Sequence, residues 1–552
     1  MYFRTNVRLM AAVVLGMAVF VAGCNDLTVT NPNQPNVAKV FGSPRDVETI
    51  VSRLFQQMYN GQQASADDIF TQTITMSFES SSQLGNFGMG TRGAIPRSPI
   101  DNSIGNTVNA GNFRDFDFLS RNARGAANAI AALDKFAAAG ISTGSPARDA
   151  RAKSFAYFTL GYALGNLALF YDSAAILTAA VPVTTIPPLS KSADVMDVAL
   201  KSLDSAINIA SSAAATTGTN GFPIPIDWLS QLTATSQADF IKVLRSYKAK
   251  FRAGLARTPA QLAAEDWTAI IADATNGITA DFVIQTNATT GWSGAVLTQL
   301  ATSSGWSQMT PFILGMADTT GAYDAWLQQA LLSRTPFLLR TPDKRFPSGE
   351  DRATQNAATG GASRTGPVAG SILYFRNRPP GEDTPADPWG TWYYDNWRSW
   401  AIRATGGNAP YVQFAVVEND MLAAEGYIRA GNFAAAIPLI NKSRVRAGLA
   451  ALTVINALTD QVPGGNACVP RVPQPPNFTT TACGNIMEAM KWEKRTETSM
   501  IGYGQWFIDS RGWGDLVQGT ALEWPVPYQE LFARIKPSYT TTGVAAKGTY
   551  GF

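Results

Sequence analysis

From Ser43 onward, apolar positions recur with the 3.6-residue period of a helix. Val47, Ile50, Val51, Leu54, Phe55 and Met58 share one face. Ahead of them, Ser43-Pro44-Arg45-Asp46 offers an N-cap, a proline at the first helical position and an acidic residue in the first turn. Gly61 ends the run. The same pattern predicts helices over 112–139, 146–171, 193–213, 238–256 and 259–276, and Ser145-Pro146 and Thr258-Pro259 repeat the start signal. Helical order returns near Tyr411. Residues 414–430, the turn Gly431-Asn432 and residues 433–446 predict a helix-turn-helix hairpin. Gly431-Asn432-Phe433 followed by Ala436 resembles the turn of a tetratricopeptide repeat, where a small residue lets two helices cross closely.

Between these blocks the pattern lapses. Residues 277–410 are rich in Gly, Thr, Asn and Pro, with a low-complexity stretch at 353–370, and are expected to form loops and short strands laid over the helical scaffold. Asp387-Pro388-Trp389-Gly390-Thr391-Trp392-Tyr393-Tyr394-Asp395-Asn396-Trp397-Arg398-Ser399-Trp400 holds four of the thirteen tryptophans. Flat aromatic faces stack on the C–H faces of sugar rings, and acidic or amide side chains bond hydroxyls. Trp389, Trp392, Trp397, Trp400, Tyr393 and Asp395 are therefore ligand-binding candidates, with Trp292 and Trp306 behind them. The competing expectation is that these rings pack the loops onto the scaffold, since Trp is highly buried on average.

The N-terminus sets the compartment. Arg4 and Arg8 precede fourteen uncharged residues, Leu9 to Ala22. At about 1.5 Å each they reach roughly 21 Å, short of a hydrocarbon core of about 30 Å. A signal-peptide core fits better than a membrane span. It ends in Val21-Ala22-Gly23-Cys24, which looks like a bacterial lipobox with Cys24 as the lipid attachment site. Acyl chains there, each contributing about 0.8 kcal/mol per buried CH₂, would hold the chain on a membrane. Residues 25–41 read as an extended tether. Cys468 and Cys483, the remaining cysteines, form an even pair around a Pro- and Thr-rich loop and predict a disulfide in an exported protein.

The sequence contains no histidine, which removes Ser-His-Asp and Cys-His nucleophiles, His-ligated zinc and HExxH. No catalytic residue, metal site or cofactor is nominated. Gly88-Met89-Gly90-Thr91-Arg92-Gly93 matches a dinucleotide fingerprint by letter but lacks the strand before and helix after, and is expected to be a flexible loop. Glu382, Asp383 and Asp387 show no EF-hand spacing and read as a solvated acidic loop. The net charge of +3 is spread along the chain, so nucleic acid is not an expected partner.

Several segments, in order, resemble the SusD/RagB family. They are the lipobox with Asn25-Asp26-Leu27; Arg151-Ala152 leading into Tyr157-Phe158-Thr159-Leu160; Ala256-Arg257-Thr258-Pro259 with Trp267 and Gly277; and Glu418, Leu422, Ala424-Glu425, Asn441, Arg444 and Arg446-Ala447-Gly448 around the predicted hairpin. The C-terminal block is the sharpest: Glu493, Arg495, Glu497, Gly504, Phe507, Asp509, Arg511 and Trp513-Gly514, then Pro525-Val526-Pro527 with Glu530. The chain departs from the family pattern at Tyr503, Trp506 and Ser510. Glu493, Arg495, Asp509, Arg511 and Trp513 read as a folding lock rather than ligand contacts. If the segment is extended, Asp509 and Arg511 share one face, and Glu493 and Arg495 neutralise charges beside Trp513.

The resemblance implies a mainly α fold of tetratricopeptide-like hairpins with long irregular loops and a few short strands. It implies residues 1–23 as signal peptide, 24–42 as lipid-anchored tether and 43–552 as one helical domain. That domain divides into an N-terminal part (43–276), a loop-rich ligand-face insertion (277–410) and a C-terminal part (411–552). It further implies a non-enzymatic, surface-exposed outer-membrane lipoprotein that binds oligosaccharide, or in some branches peptide, as the lid of a TonB-dependent, SusC-like transporter. The alternatives are a tetratricopeptide-type scaffold that recruits proteins only, and a carboxylate glycosidase using an acid and a base or nucleophile roughly 5–10 Å apart.

Overall fold

Helix caps legible in the sequence begin the scaffold. In the computed structural model, which describes residues 41–63, 68–81, 87–106, 109–294, 308–359, 372–380 and 393–552, α1 spans Pro44–Gln63, with the Asp46 N–H donating to Ser43 Oγ at 3.3 Å. It runs two residues past Gly61. Further along come α2 (Asn109–Ala138), α3 (Pro146–Phe170), α4 (Ser192–Ser212), α5 (Gln237–Gly254) and α6 (Trp267–Thr275). The Ser145 and Thr258 hydroxyls accept from the backbone N–H groups of Arg148 and Gln261, as the start signals predict. The helix predicted over 259–276 is two helices, because Asp266 caps α6 by accepting from Ala269 N–H and the first piece is only Pro259–Ala263.

α3 is buried around nearly its whole circumference. Its Phe155, Phe158 and Tyr162 meet Phe240, Tyr247 and Phe251 of α5 and Phe55 of α1, with centroids 5.2–6.5 Å apart and mostly edge-on or tilted. Such geometry suits the ring quadrupoles. Two glycines let the neighbours approach: a Cβ on Gly161 would lie 2.9 Å from the Ala199 carbonyl of α4, and one on Gly165 would lie 2.3 Å from the Phe251 ring.

β1 (Ser173–Ala175) and β2 (Leu189–Lys191) pair antiparallel ahead of α4. The insertion leaves the scaffold through β3 (Phe282–Gln285) and, after β4 (Phe375–Asn377) and β5 (Tyr394–Asn396), returns through β6 (Pro410–Phe414). β3 pairs antiparallel with β6, so the two ends of the insertion are zipped together. The expectation of loops laid over a scaffold is corrected in part. Phe312, Trp326, Phe346, Phe375 and Tyr394 build an apolar core shared with Trp492 and Trp506, and residues 352–357 of the low-complexity stretch form a helix capped by Asp351. Trp292 is likewise core, against Tyr59 and Phe55.

The predicted hairpin is present as α7 (Val416–Arg429) and α8 (Phe433–Arg446). Gly431 turns at φ +72° and Asn432 caps α8 by accepting from Ala435 N–H. β7 (Arg471–Pro473) and β8 (Thr481–Cys483) follow as an antiparallel pair, and a Cys468–Cys483 disulfide ties their far end. α9 (Ile486–Thr498) and α10 (Gln505–Trp513) complete the set of longer helices. The fold is mainly α, with short two-stranded ladders among the described residues. No helix among them is long and apolar enough to cross a membrane. Within the Gly88–Gly93 segment, Met89–Gly93 is a five-residue helix rather than a loop, with Gly88 as its N-cap at φ +77°. Cys24, the lipobox, the tether up to residue 40, Trp306, Trp389, Trp392 and the acidic residues at 382, 383 and 387 lie outside the described residues.

Gly161→Ala tests the close crossing of α3 and α4. Alanine favours a helix interior by about 1 kcal/mol, but here its Cβ meets a backbone carbonyl, and overpacking costs about 1–3 kcal/mol. The variant should melt below the parent in a thermal scan, whereas a higher melting temperature would show that the two helices can separate freely.

Candidate functional site

The described part of the aromatic segment is held by β4 and β5, whose register sets Arg376 opposite Asp395. Arg376 donates to Asp395 through Nε (3.1 Å) and Nη2 (2.7 Å), with both side chains fully buried. The same guanidinium lies 4.8 Å from the Trp397 ring, and Trp397 stacks on Trp400 at 4.3 Å and 20°. Tyr394 donates its hydroxyl to Gln355 Oε1 at 2.7 Å and accepts from Leu339 N–H at 3.0 Å. Trp397 and Asp395 are therefore interior, which corrects their placement on an exposed platform. The reason is that β5 is covered on both faces: Tyr394, Asp395, Asn396 and Trp397 are consecutive and all buried. Tyr393, under the Arg352 guanidinium at 4.3 Å, and Trp400 remain partly exposed. They are the described members of the segment that still offer a ring edge or face to a ligand.

The C-terminal block is a buried ion-pair system. Its segment is helical, so Asp509 and Arg511 point apart instead of sharing a face, correcting the extended reading. Lys494 pairs with Asp509 at 2.7 Å. Arg511 donates to the carbonyls of Leu169, Leu522 and Gly254 at 2.8–2.9 Å and so joins α3, α5 and the C-terminal segment. Arg495 pairs with Asp515 at 2.6 Å and lies over Trp513 at 5.0 Å. Glu493 is elsewhere: it takes Arg345 Nη1 at 2.8 Å and Ser443 Oγ at 2.7 Å. Asp515 and Arg345, both central, escaped sequence reasoning because their partners are distant in the chain. Burial alone would raise the Glu497 carboxyl, but Arg398, Arg345 and Arg446 hold it down to about 2.

Glu79 is the opposite case. It is buried, accepts one hydrogen bond from Met500 N–H at 2.6 Å, and has no cation within ion-pair distance among the described residues. Burial pushes its carboxyl up to about 8, against the pull of that N–H.

An open cleft lies elsewhere, between α1, the start of α3 and the connection from α4 to α5. Its volume is about 870 Å³, within the range of small-molecule sites. Glu48, Arg53, Arg148 and Arg151 line it together with Thr217, Thr219, Pro223, Pro225, Ile226 and Trp228. Glu48 accepts Arg148 at 2.6 Å and Arg151 at 2.7 Å. No motif announced this cleft; the only sequence signal was Arg151, read as part of a helix resemblance. No group of three or more Cys, Asp or Glu capable of holding a metal occurs among the described residues.

Comparison with solved structures gives the fold its relatives. A SusD-like protein of Bacteroides fragilis superposes with a TM-score of 0.52 at 13% identity, covering 92% of this chain and 98% of that one. A SusD superfamily protein of Bacteroides vulgatus gives 0.52 at 13%, covering 91% and 100%. A third, a Bacteroides vulgatus protein for which sugar binding has been inferred, gives 0.50 at 10%, covering 91% and 98%. No family model matches the chain, and no curated protein matches it. The chain has the SusD fold.

Two sets of variants test these assignments. Trp397→Ala should lose about 3–5 kcal/mol through the cavity it leaves, while Trp400→Ala should change the melting temperature far less; equal losses would make both rings core. Glu79→Gln addresses the buried carboxyl. A folded-state value near 8, against about 4.5 unfolded, means the native state prefers the neutral form. Its contribution is therefore full below about 4.5 and is lost as pH rises to 8. Thermal melts at pH 5 and pH 8.5 should show Glu79→Gln gaining on the parent at the higher pH. A gap that stays constant would mean Glu79 titrates normally.

Proposed function

We propose that the protein is a surface-exposed outer-membrane lipoprotein that binds oligosaccharide and delivers it to a TonB-dependent barrel transporter, without catalysis of its own. The observation that carries this reading is the end-to-end agreement of fold with SusD-like structures, over 91–92% of this chain and 98–100% of theirs. A shared fold by itself leaves function to the site, and three features of this chain support the same reading. The first is Val21-Ala22-Gly23-Cys24, which has the composition of a lipid-attachment signal. The second is a cleft of about 870 Å³ whose lining combines apolar and hydrogen-bonding side chains, as a sugar requires. The third is the sugar-binding role inferred for one of the structural relatives. Trp400 and Tyr393 supply further aromatic surface, and Trp389 and Trp392 extend the candidate set on the same segment.

The test has two arms. Cys24→Ser should move the protein from the membrane fraction to the soluble one, and the native N-terminal peptide should carry acyl mass; retention at the membrane without that mass defeats the anchor. The soluble Cys24→Ser chain, applied to a polysaccharide array, should bind at least one glycan without shortening it, and the native protein should co-purify with a barrel transporter from membranes. Product release from a bound glycan would favour a glycosidase. Transporter capture with no glycan bound would favour a scaffold.

A further inference from the structure

We propose that the cleft between α1, α3 and the α4–α5 connection selects an acidic saccharide, taking the carboxylate of a uronic-acid unit on its guanidinium wall. This rests on the glycan-binding reading above and deepens it. Among the lining residues, three guanidinium groups, Arg53, Arg148 and Arg151, stand with two carboxylates, Glu48 and Asp227; outside the lining, the Asp149 carboxylate also acts on Arg148. Glu48 is saturated. Its Oε2 accepts from Arg148 Nε at 2.8 Å and Nη2 at 2.6 Å, and its Oε1 accepts from Arg151 Nη2 at 2.7 Å. Two guanidinium groups thus share one lining carboxylate.

The two cations differ in freedom. Arg151 is buried and fixed, donating to the carbonyls of Gly221 and Pro223 at 3.1 and 3.3 Å and lying 5.4 Å from the Trp228 ring. Arg148 spends Nε and Nη2 on Glu48, and its Nη1 has no acceptor among the described residues. At the rim, Arg53 Nη2 stands 3.7 Å from Asp227 Oδ2, beyond hydrogen-bond distance, with the two side chains 48% and 58% exposed. That loose pair is weak in water and can give way to a ligand. A planar carboxylate matches the fork of a guanidinium and is held bidentately, unlike a hydroxyl. In the same lining, Pro223, Pro225 and Ile226 give apolar surface suited to the C–H face of a pyranose, and Thr217 and Thr219 are exposed. Guanidinium groups, apolar surface and hydroxyls together fit a carboxylated pyranose better than a neutral one.

Calorimetry with the Cys24→Ser chain decides it, using oligogalacturonate and the same oligosaccharide with its carboxyls reduced to alcohols. The acidic form should bind at least about tenfold more tightly, the difference one charge-assisted contact supplies, and added salt should narrow that gap. Arg53→Gln should weaken oligogalacturonate several-fold without moving the melting temperature. Asp227→Asn, which removes the competing carboxylate, should strengthen it. Equal affinity for the two forms, or an Arg53→Gln variant that binds like the parent, overturns the inference and leaves the glycan-binding reading standing if other saccharides on the array bind. Tighter binding of an acidic peptide than of any saccharide overturns the ligand class. An array on which no saccharide binds removes the glycan-binding reading, and this inference with it.

Discussion

The structure depends on the pairing of charges buried along α9. Lys491, Glu493, Lys494, Arg495 and Glu497 fall within seven residues of one helix, and all are buried. A charge taken out of water costs several kcal/mol unless a partner and hydrogen bonds replace the solvent. Apart from Glu488, which pairs with Lys491 within α9 at 3.0 Å, the partners come from other parts of the chain. Arg345 belongs to the insertion, Ser443, Arg444 and Arg446 to α8, Asp509 to α10, and Asp515 to the segment after it. Pairing those charges therefore brings the insertion, the helical hairpin and the C-terminus together around one rod. Removing Asp509 would leave the buried Lys494 without its ion-pair partner, so the arrangement enforces one topology more than it adds net stability.

The same pairing fixes what the loop-rich insertion can present. Arg345 reaches Glu493 with its side chain, and its carbonyl accepts from the N–H groups of Tyr374 and Phe375 at the start of β4. β4 aligns β5, and β5 buries Asp395 against Arg376 and carries Trp397 inward behind it. An aromatic segment that looks like a binding platform is thus anchored through its middle, leaving its margins for contact. The cleft lined by Arg53 and Arg148 is built from α1, α3 and the α4–α5 connection, which contribute nothing to the α9 network. Its loosely paired cation, Arg53, lies outside the charge-neutralised core, where an incoming anion can compete for it.

The departures from the family pattern are absorbed locally. Tyr503 donates its hydroxyl to Asp115, Trp506 donates to the Arg495 carbonyl at 2.7 Å, and Ser510 accepts from Arg495 Nη2 at 3.3 Å. Each substituted residue satisfies a buried polar neighbour. The lock keeps its form while its members change, because the requirement is hydrogen-bond satisfaction rather than a particular side chain.

Local signals were legible wherever the physics is local. The caps at Ser145 and Thr258, the Gly431-Asn432 turn and the periodicity of α1 to α5 act within one or two helical turns, so the sequence alone was enough for the N-terminal helices and the α7–α8 hairpin. The break at Asp266 was also within reach, since an Asp three residues ahead of Ala269 is a start signal. α9 was not read as a helix because its buried face carries Lys, Glu and Arg, and a polar residue counts as exposed until its partner is known. Only the tertiary structure supplies that partner: Arg345 stands 148 residues from Glu493, and Arg148 stands 100 from Glu48. For the same reason Trp397 could not be told from Trp400 in advance. Aromatic density is a property of the chain, but which ring meets solvent is decided by what packs on the other side.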